Sequence, residues 1–497
     1  MTEPETLAEL LVTSCRTNTR RVAVVDPGGE LTYDGFLKRV GAAADELLEL
    51  GVRPGDRVAL LLLNSIDYAV AYFATAATGA TAVLVNARLT LDEITHVLSD
   101  SGAKVTVTQP ELLDRVPGAD GTVALASDLG RARLDVTPFE QWAGLRRTAS
   151  DVANILYTSG TTGKPKGAMQ THGNLMANFA TVREQFGLTR DDVALIAAPL
   201  FHATAINSQL IPFIGLGARC VLVPTFDRAA VPAVMRDNRV TLFAGVGAMV
   251  ELLALDPAFG QAAFPDLRQV VLGGSPVGES TLRVLDERLP NVDVANVWGM
   301  TEATSIVTVA HRTDLTRRRW TAGRAVPGVE LQVWDEVGNK LPPSSVGELV
   351  VRGPVVTAGY WGRPEATAET FVDGWLRTGD VGRVDAEGFV QVLDRLKDMI
   401  IRGGENIYSV EVESVLSAHP DIAEVAVVGL PDPVFGERVC AVVVRVAGSA
   451  VSIEQIRDFA RTRLADYKIP AEVRFLDALP RNASGKVLKG ELPVDSG

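Results

Sequence analysis

The sequence predicts an α/β protein with a large N-terminal domain of doubly wound parallel sheets and a small α+β unit at its C-terminal end. Three observations predict it. From Thr6 to Val297, runs of helical period alternate with short apolar runs of strand length, the rhythm of βαβ units. Val58–Leu63 is continuously apolar rather than alternating, as in a parallel strand covered on both faces. Beyond Val329 the runs shorten and turns multiply, and from Asp394 to the end the sequence has mixed helix and strand character, enough chain for a separate unit. At 497 residues the chain is in any case too long for one ordinary core.

In order, Leu7–Val12 has the spacing of an amphipathic helix and Val22–Val25 that of a strand. Pro27-Gly28-Gly29 turns the chain into a second strand, Leu31–Tyr33. Helical spacing from Phe36 to Leu50 stops at Gly51. Tyr68–Val85 is uncharged and nearly long enough to cross a bilayer, but its threonines and the break at Gly79 read as a buried helix and the strand Ala82–Val85. Thr90 and Asp92 can cap a helix running to Leu98, and Val105–Val107 is again a strand. Residues 111–150 are irregular and are expected to form a peripheral loop region. Val152–Leu156 is a strand, Asn174–Phe186 a helix, and strands recur at Val240–Phe243, Val270–Leu272 and Val292–Val297. After short strands at Glu348–Val351 and Phe389–Val392, the last unit reads as helix Val410–Ser417, strands Val425–Val428 and Ala441–Val444, and helix Ile453–Leu464.

The 47% hydrophobic and 22% charged content is that of a globular protein. A net charge of −13 with acids and bases interspersed leaves no basic face for nucleic acid, although a few lysines suffice for one phosphate anion. Cys15, Cys220 and Cys440 lie far apart without a C-x-x-C pair, so free thiols in a reducing compartment are expected, with no zinc site. Met1–Glu5 lacks the basic segment of a secretion signal, and a cytoplasmic protein without an integral membrane segment is expected.

Chemistry concentrates at Tyr157–Gly167, where three glycines, four Ser/Thr hydroxyls and two lysines follow a strand with almost no bulk between them. Glycine allows backbone N–H groups to approach a ligand, hydroxyls add donors, and lysines add charge for a polyphosphate. It is not a Walker loop: Gly160 and Gly163 are too close, and Lys164 precedes Pro165. The uninterrupted string Tyr157-Thr158-Ser159-Gly160-Thr161-Thr162-Gly163-Lys164-Pro165-Lys166-Gly167 resembles the signature loop of the acyl-adenylate-forming family: acyl-CoA synthetases, aryl-CoA ligases, luciferases and peptide-synthetase adenylation domains. The resemblance implies ATP contacts from Thr158, Ser159, Gly160, Thr161, Thr162, Gly163, Lys164 and Lys166, with Thr161 also at Mg²⁺.

Further stretches follow in the family's order. Gly273-Gly274-Ser275-Pro276 succeeds a strand, the position at which parallel sheets bind ligands. Alone it is any βα turn; in the family the matching Gly274, Ser275 and Pro276 line the adenine and acyl pockets. Trp298-Gly299-Met300-Thr301-Glu302 offers an aromatic face for a purine, a hydroxyl for phosphate and a carboxylate for Mg²⁺, or simply a core tryptophan before a helix start. It resembles the aromatic-Gly-x-Thr-Glu motif, in which tyrosine is commoner than tryptophan. That implies nucleotide contacts from Asn296, Trp298, Gly299, Met300 and Thr301, with Thr301 and Glu302 catalytic and Glu302 at the metal.

Trp375–Asp380 matches W-x-x-T-G-D, implying that Asp380 holds the ribose hydroxyls. Asp394-Arg395-Leu396-Lys397-Asp398 matches the hinge motif, with Asp394 the pivot and Arg395 a second ribose contact. Gly403-Gly404-Glu405 corresponds to the pantetheine tunnel, and hence to CoA; where the family often has proline after Tyr408, Ser409 stands here, with little consequence expected. In Pro480–Lys486, Lys486 matches the catalytic lysine, whose charge would stabilise the transition state at phosphorus. Phe201-His202 follows an apolar run. A lone histidine there is more often structural, but in CoA ligases the matching residue is catalytic and sits beside the substrate carboxylate.

The resemblance covers essentially the whole chain. It implies a domain of residues 1–393 that includes a β-barrel-like subdomain, a mobile lid of residues 394–497, and an ATP-dependent, AMP-forming carboxylic acid:CoA ligase using Mg²⁺ and coenzyme A. Small residues among Phe201, His202, Ala203, Ile206, Gly245, Val246 and Gly274 lean toward a fatty or aromatic acid over acetate. Transfer to a carrier protein, a luciferase-like oxygenase and a non-catalytic binding homologue remain alternatives, and a homodimer is open by analogy.

Overall fold

The computed structural model describes residues 3–117, 122–131, 137–158, 164–275, 277–481 and 487–493. The chain divides into two compact units, Met1–Leu331 with Val351–Arg377, and Gln332–Val350 with Thr378–Gly497.

Two doubly wound sheets organise the first unit. The six-stranded sheet runs in the order Thr122–Leu125, Val105–Thr108, Arg57–Leu61, Thr81–Leu84, Val152–Thr158, all parallel, and ends on the antiparallel strand Lys166–Thr171. The nine-stranded sheet has a parallel centre in the order Asp293–Trp298, Gln269–Leu272, Leu242–Gly245, Val193–Ile196, Arg219–Leu222, Val22–Asp26. Thr308–Ala310 and then Arg324–Ala325 extend it antiparallel at one end, and Gly29–Thr32 at the other. Val58, Ala59, Leu60 and Leu61 are 0% exposed, as a run apolar on both faces requires.

The uncharged run after it forms the interior helix Ile66–Thr78, begun by the Ser65 hydroxyl accepting from Tyr68 N and stopped by Gly79 at φ +75°. Among the described residues no helix is long and apolar enough to cross a membrane. Thr90 caps Leu91–Ser101 through a capping box with Glu93.

Three local expectations change. Tyr33 is not in a strand: Thr32 accepts from Gly35 N and starts the helix Tyr33–Glu49 one residue after the strand Gly29–Thr32. The irregular stretch 111–150 contributes the parallel strand Thr122–Leu125. Lys166–Thr171 is a strand despite its lysine and glycine, because it pairs along Val152–Thr158; Thr171 then caps the helix His172–Gln185, which begins before Asn174.

In the second unit, Ile422–Asp432 and Gly436–Arg445 form a long antiparallel pair, and Glu472–Leu476 joins parallel. Helices Ser409–Ser417 and Ile453–Arg461 contribute Val412, Leu416, Ile456 and Ala460, all 0% exposed, to its core. The strand Trp375–Val384 pairs with Val390–Arg395, setting Asp380 opposite Arg395. Thr378 Oγ1 donates to Leu349 O, and Gly379 N to Glu348. These bonds tie residues 348–349 to the strand pair that ends at Arg395, and all of residues 332–350 and 378–393 fall with the C-terminal chain in the second compact unit, so position 394 lies inside it. Cys15, Cys220 and Cys440 are buried and unpaired, and burial pushes their thiols up, Cys440 to about 11.

Candidate active site

Five parallel strands deliver residues to the site at their carboxyl ends, the ligand side of doubly wound sheets. Val152–Thr158 ends at Thr158, and Val193–Ile196 leads to Phe201, His202 and Ala203. Leu242–Gly245 ends beside Val246, Gln269–Leu272 leads to Gly274 and Ser275, and Asp293–Trp298 leads to Gly299–Glu302. There Thr158 Oγ1 donates to Glu302 Oε1 at 3.1 Å, a bond that links the two sheets.

Glu302 lies in the short 3₁₀ turn Thr301–Ala303. Its Oε1 also accepts from Tyr360 OH at 3.0 Å, and its carbonyl accepts from Thr357 N. Burial, and then the charge of Glu302, push the Tyr360 phenol up, so it stays protonated and is the donor. Lys166, opposite Thr158 in register, sets its Nζ 5.3 Å from the Tyr360 ring centroid. Lys164 is exposed.

Beneath this turn is a buried amide layer. Gln170 Nε2 donates to Thr301 O (3.2 Å) and Thr304 O (3.4 Å), and Asn207 Nδ2 donates to Thr304 O (2.6 Å) and Gln170 Oε1 (2.9 Å). Thr304 is fully buried with φ +63°, an unusual conformation for a β-branched residue, and its hydroxyl donates to Val355 O at 2.6 Å. The turn is closed so tightly that a Cβ on Gly299 would stand 1.7 Å from Ser305 O. Trp298 and Met300 pack against Ala303, Val307, Val351 and Val355, and Asn296 Nδ2 donates to Thr321 O.

Of the residues expected at the acyl pocket, Phe201, Ile206 and Gly245 are buried, while Ala203, Val246 and Gly274 remain partly or largely exposed. A Cβ on Gly245 would meet Met249 Sδ at 3.0 Å. His202 contacts the Phe201 ring at 4.7 Å and its Nε2 has no partner among the described residues. Burial, helped by Arg88, lowers it to about 4, so the imidazole is neutral near pH 7.

In the second unit, the two expected ribose contacts bind each other, Arg395 Nε to Asp380 Oδ1 at 2.5 Å. Asp394 is 3% exposed; Oδ2 accepts from Ser409 N (2.5 Å) and Ser409 Oγ (2.7 Å), and Oδ1 accepts from Arg395 N. Ser409 is therefore a buried anchor of Asp394. Gly403 and Gly404 turn at φ +61° and +88° between short strands, with Glu405 exposed. Ser159, Gly160, Thr161, Thr162, Gly163, Pro276 and Lys486 lie outside the described residues.

Sequence reading missed Tyr360, Gln170 and Asn207, and noted Ser409 without its bond to Asp394. Gln170 reaches Thr301 across 131 positions and Tyr360 reaches Glu302 across 58, so neither carries a spacing signal.

A doubly wound fold whose strand ends converge on a Thr/Lys hairpin and on a carboxylate whose Oε2 has no partner among the described residues defines a nucleotide-binding enzyme class. The chain belongs to the AMP-binding enzyme family, matched over residues 11–361, with the C-terminal domain of AMP-binding enzymes matched over 411–486. It is 42% identical over 483 residues to a feruloyl-CoA synthase of Amycolatopsis sp, covering 97% of each chain. It is 35% identical to the long-chain-fatty-acid–CoA ligase FadD13 of Mycobacterium tuberculosis, covering 95% of this chain and 94% of the other. The structure resembles o-succinylbenzoate coenzyme A synthetase (MenE) of Bacillus subtilis in complex with ATP and magnesium ion, with a TM-score of 0.88, 32% identity, and 97% and 98% of the two chains covered.

Proposed function

We propose that this AMP-forming carboxylic acid:CoA ligase activates an aromatic acid or a medium- or long-chain fatty acid. The observation that carries the site is the Thr158–Glu302 bond, which brings the hydroxyl of the phosphate hairpin and the carboxylate of the second sheet to one point. The partly exposed small residues Ala203, Val246 and Gly274, and the likeness to feruloyl- and fatty-acid–CoA ligases, support the substrate class.

In the first half-reaction the substrate carboxylate attacks the α-phosphorus of ATP and pyrophosphate leaves. Thr158, Thr301, Lys164, Lys166 and the intervening loop hold the phosphates in line, which offsets the repulsion between two anions. Glu302 would supply an oxygen ligand of the hard kind that Mg²⁺ takes, and its Oε2 has no protein partner among the described residues. When bound, Mg²⁺ neutralises charge on the phosphates. Lys486 is assigned the charge that stabilises the attacked phosphorus. Neutral His202 lines the acyl site without adding a cation. In the second half-reaction the CoA thiol, admitted past Gly403, Gly404 and Glu405, attacks the acyl-adenylate and AMP leaves. Residues 394–497 are taken as the moving unit with Asp394 at the hinge, and Asp380 and Arg395 as ribose contacts once their mutual pair opens.

ATP–pyrophosphate exchange with a panel of aromatic and aliphatic acids, without CoA, tests this. Exchange with one class names the substrate. Thioester formation on adding CoA confirms the acceptor, and exchange without it points to a carrier protein instead. Absence of exchange with every acid refutes the assignment of substrate class.

A further inference from the structure

The two oxygens of Glu302 are chemically equivalent, but the fold treats them differently. Oε1 accepts two hydrogen bonds, from Thr158 Oγ1 at 3.1 Å and Tyr360 OH at 3.0 Å, while Oε2 has no partner among the described residues. A carboxylate that binds a metal through one oxygen is oriented by hydrogen bonds to the other, and loss of such a bond weakens metal binding. We propose that Tyr360 is a positioning residue: with Thr158 it occupies Oε1, fixes the plane of the carboxylate, and directs Oε2 to the divalent cation of the metal–ATP complex. The proposal rests on the ligase reading above, and deepens it.

Tyr360 is built for that task. Its backbone bridges Ala168, on the hairpin strand that begins at Lys166, and its N–H donates to Thr367 Oγ1 at 3.0 Å. Its ring meets Phe371 edge-on at 5.8 Å and carries Lys166 Nζ over its face at 5.3 Å. With the ring held on both sides, the phenol reaches Oε1 with little freedom to rotate away. The same residue thus touches the lysine of the phosphate hairpin through its face and the metal-binding carboxylate through its hydroxyl. A tyrosine at 360 therefore couples the position of one positive charge to the orientation of one negative charge, and phenylalanine would keep only the first contact.

Tyr360→Phe isolates the hydroxyl, since the ring, its packing and the lysine contact remain. Affinity is measured calorimetrically for Mn²⁺–ATP and for metal-free ATP in EDTA, on the wild type and the variant. The expected result is about tenfold or greater weakening for Mn²⁺–ATP, with metal-free ATP unchanged and the melting temperature lowered by a few degrees at most. In the exchange assay KM for Mg²⁺–ATP should rise in parallel, while thioester formation from synthetic acyl-adenylate stays at the wild-type rate. Equal weakening of both nucleotide forms, or no change in either, would overturn the proposal. The metal titration reads it even if the wild type exchanges with no acid tested, an outcome that counts against the ligase reading alone.

Discussion

Replacing Ser409 separates two bonds that hold Asp394. The carboxylate is nearly buried, and Ser409 gives its Oδ2 both a backbone N–H and a hydroxyl. A hydrogen bond to a charged group contributes about 1.5–3 kcal/mol. Ser409→Ala removes the hydroxyl alone, and Lys489, which also donates to that hydroxyl, keeps its pair with Glu413 at 2.7 Å. Ser409→Pro removes both donors, a loss of about 3–6 kcal/mol on the same scale. The backbone accepts proline: residue 409 opens the helix Ser409–Ser417, where proline is favoured, and Tyr408 at φ −84°, ψ 117° has the extended conformation that proline requires before it. The difference between the two variants therefore reports the N–H. Hydrogen exchange of the amides in Ser409–Ser417 measures it, each 1.4 kcal/mol being about tenfold in local opening. The expected order of protection is wild type, then Ala, then Pro. A proline variant as protected as the alanine variant would refute the account, as would two variants indistinguishable from the wild type.

Gly299→Ala places a methyl carbon against Ser305 O, so the turn bearing Thr301 and Glu302 must shift; adenylation measured by pyrophosphate exchange should fall on the order of a hundredfold, as a 1 Å misplacement does. His172 is 2% exposed, accepts from Leu7 N, and is lowered to about 4 by burial and by Arg147. Its folded value lies below the unfolded one, so its contribution is present above about pH 6.5 and is lost as pH falls toward 4, on the order of 3 kcal/mol. His172→Gln, which can still accept from Leu7, should show a smaller loss of denaturation midpoint between pH 7 and pH 4.5.

What the sequence makes legible is what local chemistry determines. Ser65, Thr90 and Gly79 announce their helix ends because a cap is satisfied within a few residues. Thr158 and Glu302 are legible because the strings around them are contiguous. The strand Lys166–Thr171 is not, since its conformation comes from pairing with Val152–Thr158 rather than from its own residues. The support beneath the site is equally silent. Gln170 reaches Thr301 over 131 positions and Asn207 reaches Thr304 over 97, and no window of sequence contains both partners. Ser409 looked interchangeable with proline because its partner, Asp394, is brought to it by the fold.

The burial of Cys15, Cys220 and Cys440 has a practical consequence for watching the enzyme at work. Thiols held protonated and away from solvent react slowly with maleimides. A cysteine introduced at exposed Leu255 or exposed Val434 would take up a dye in the natural background, with no native thiol removed and no residue assigned to the reaction changed. A dye pair at those two positions, one in each compact unit, turns the distance between the units into a fluorescence signal, readable while ATP, acid and CoA are added in turn.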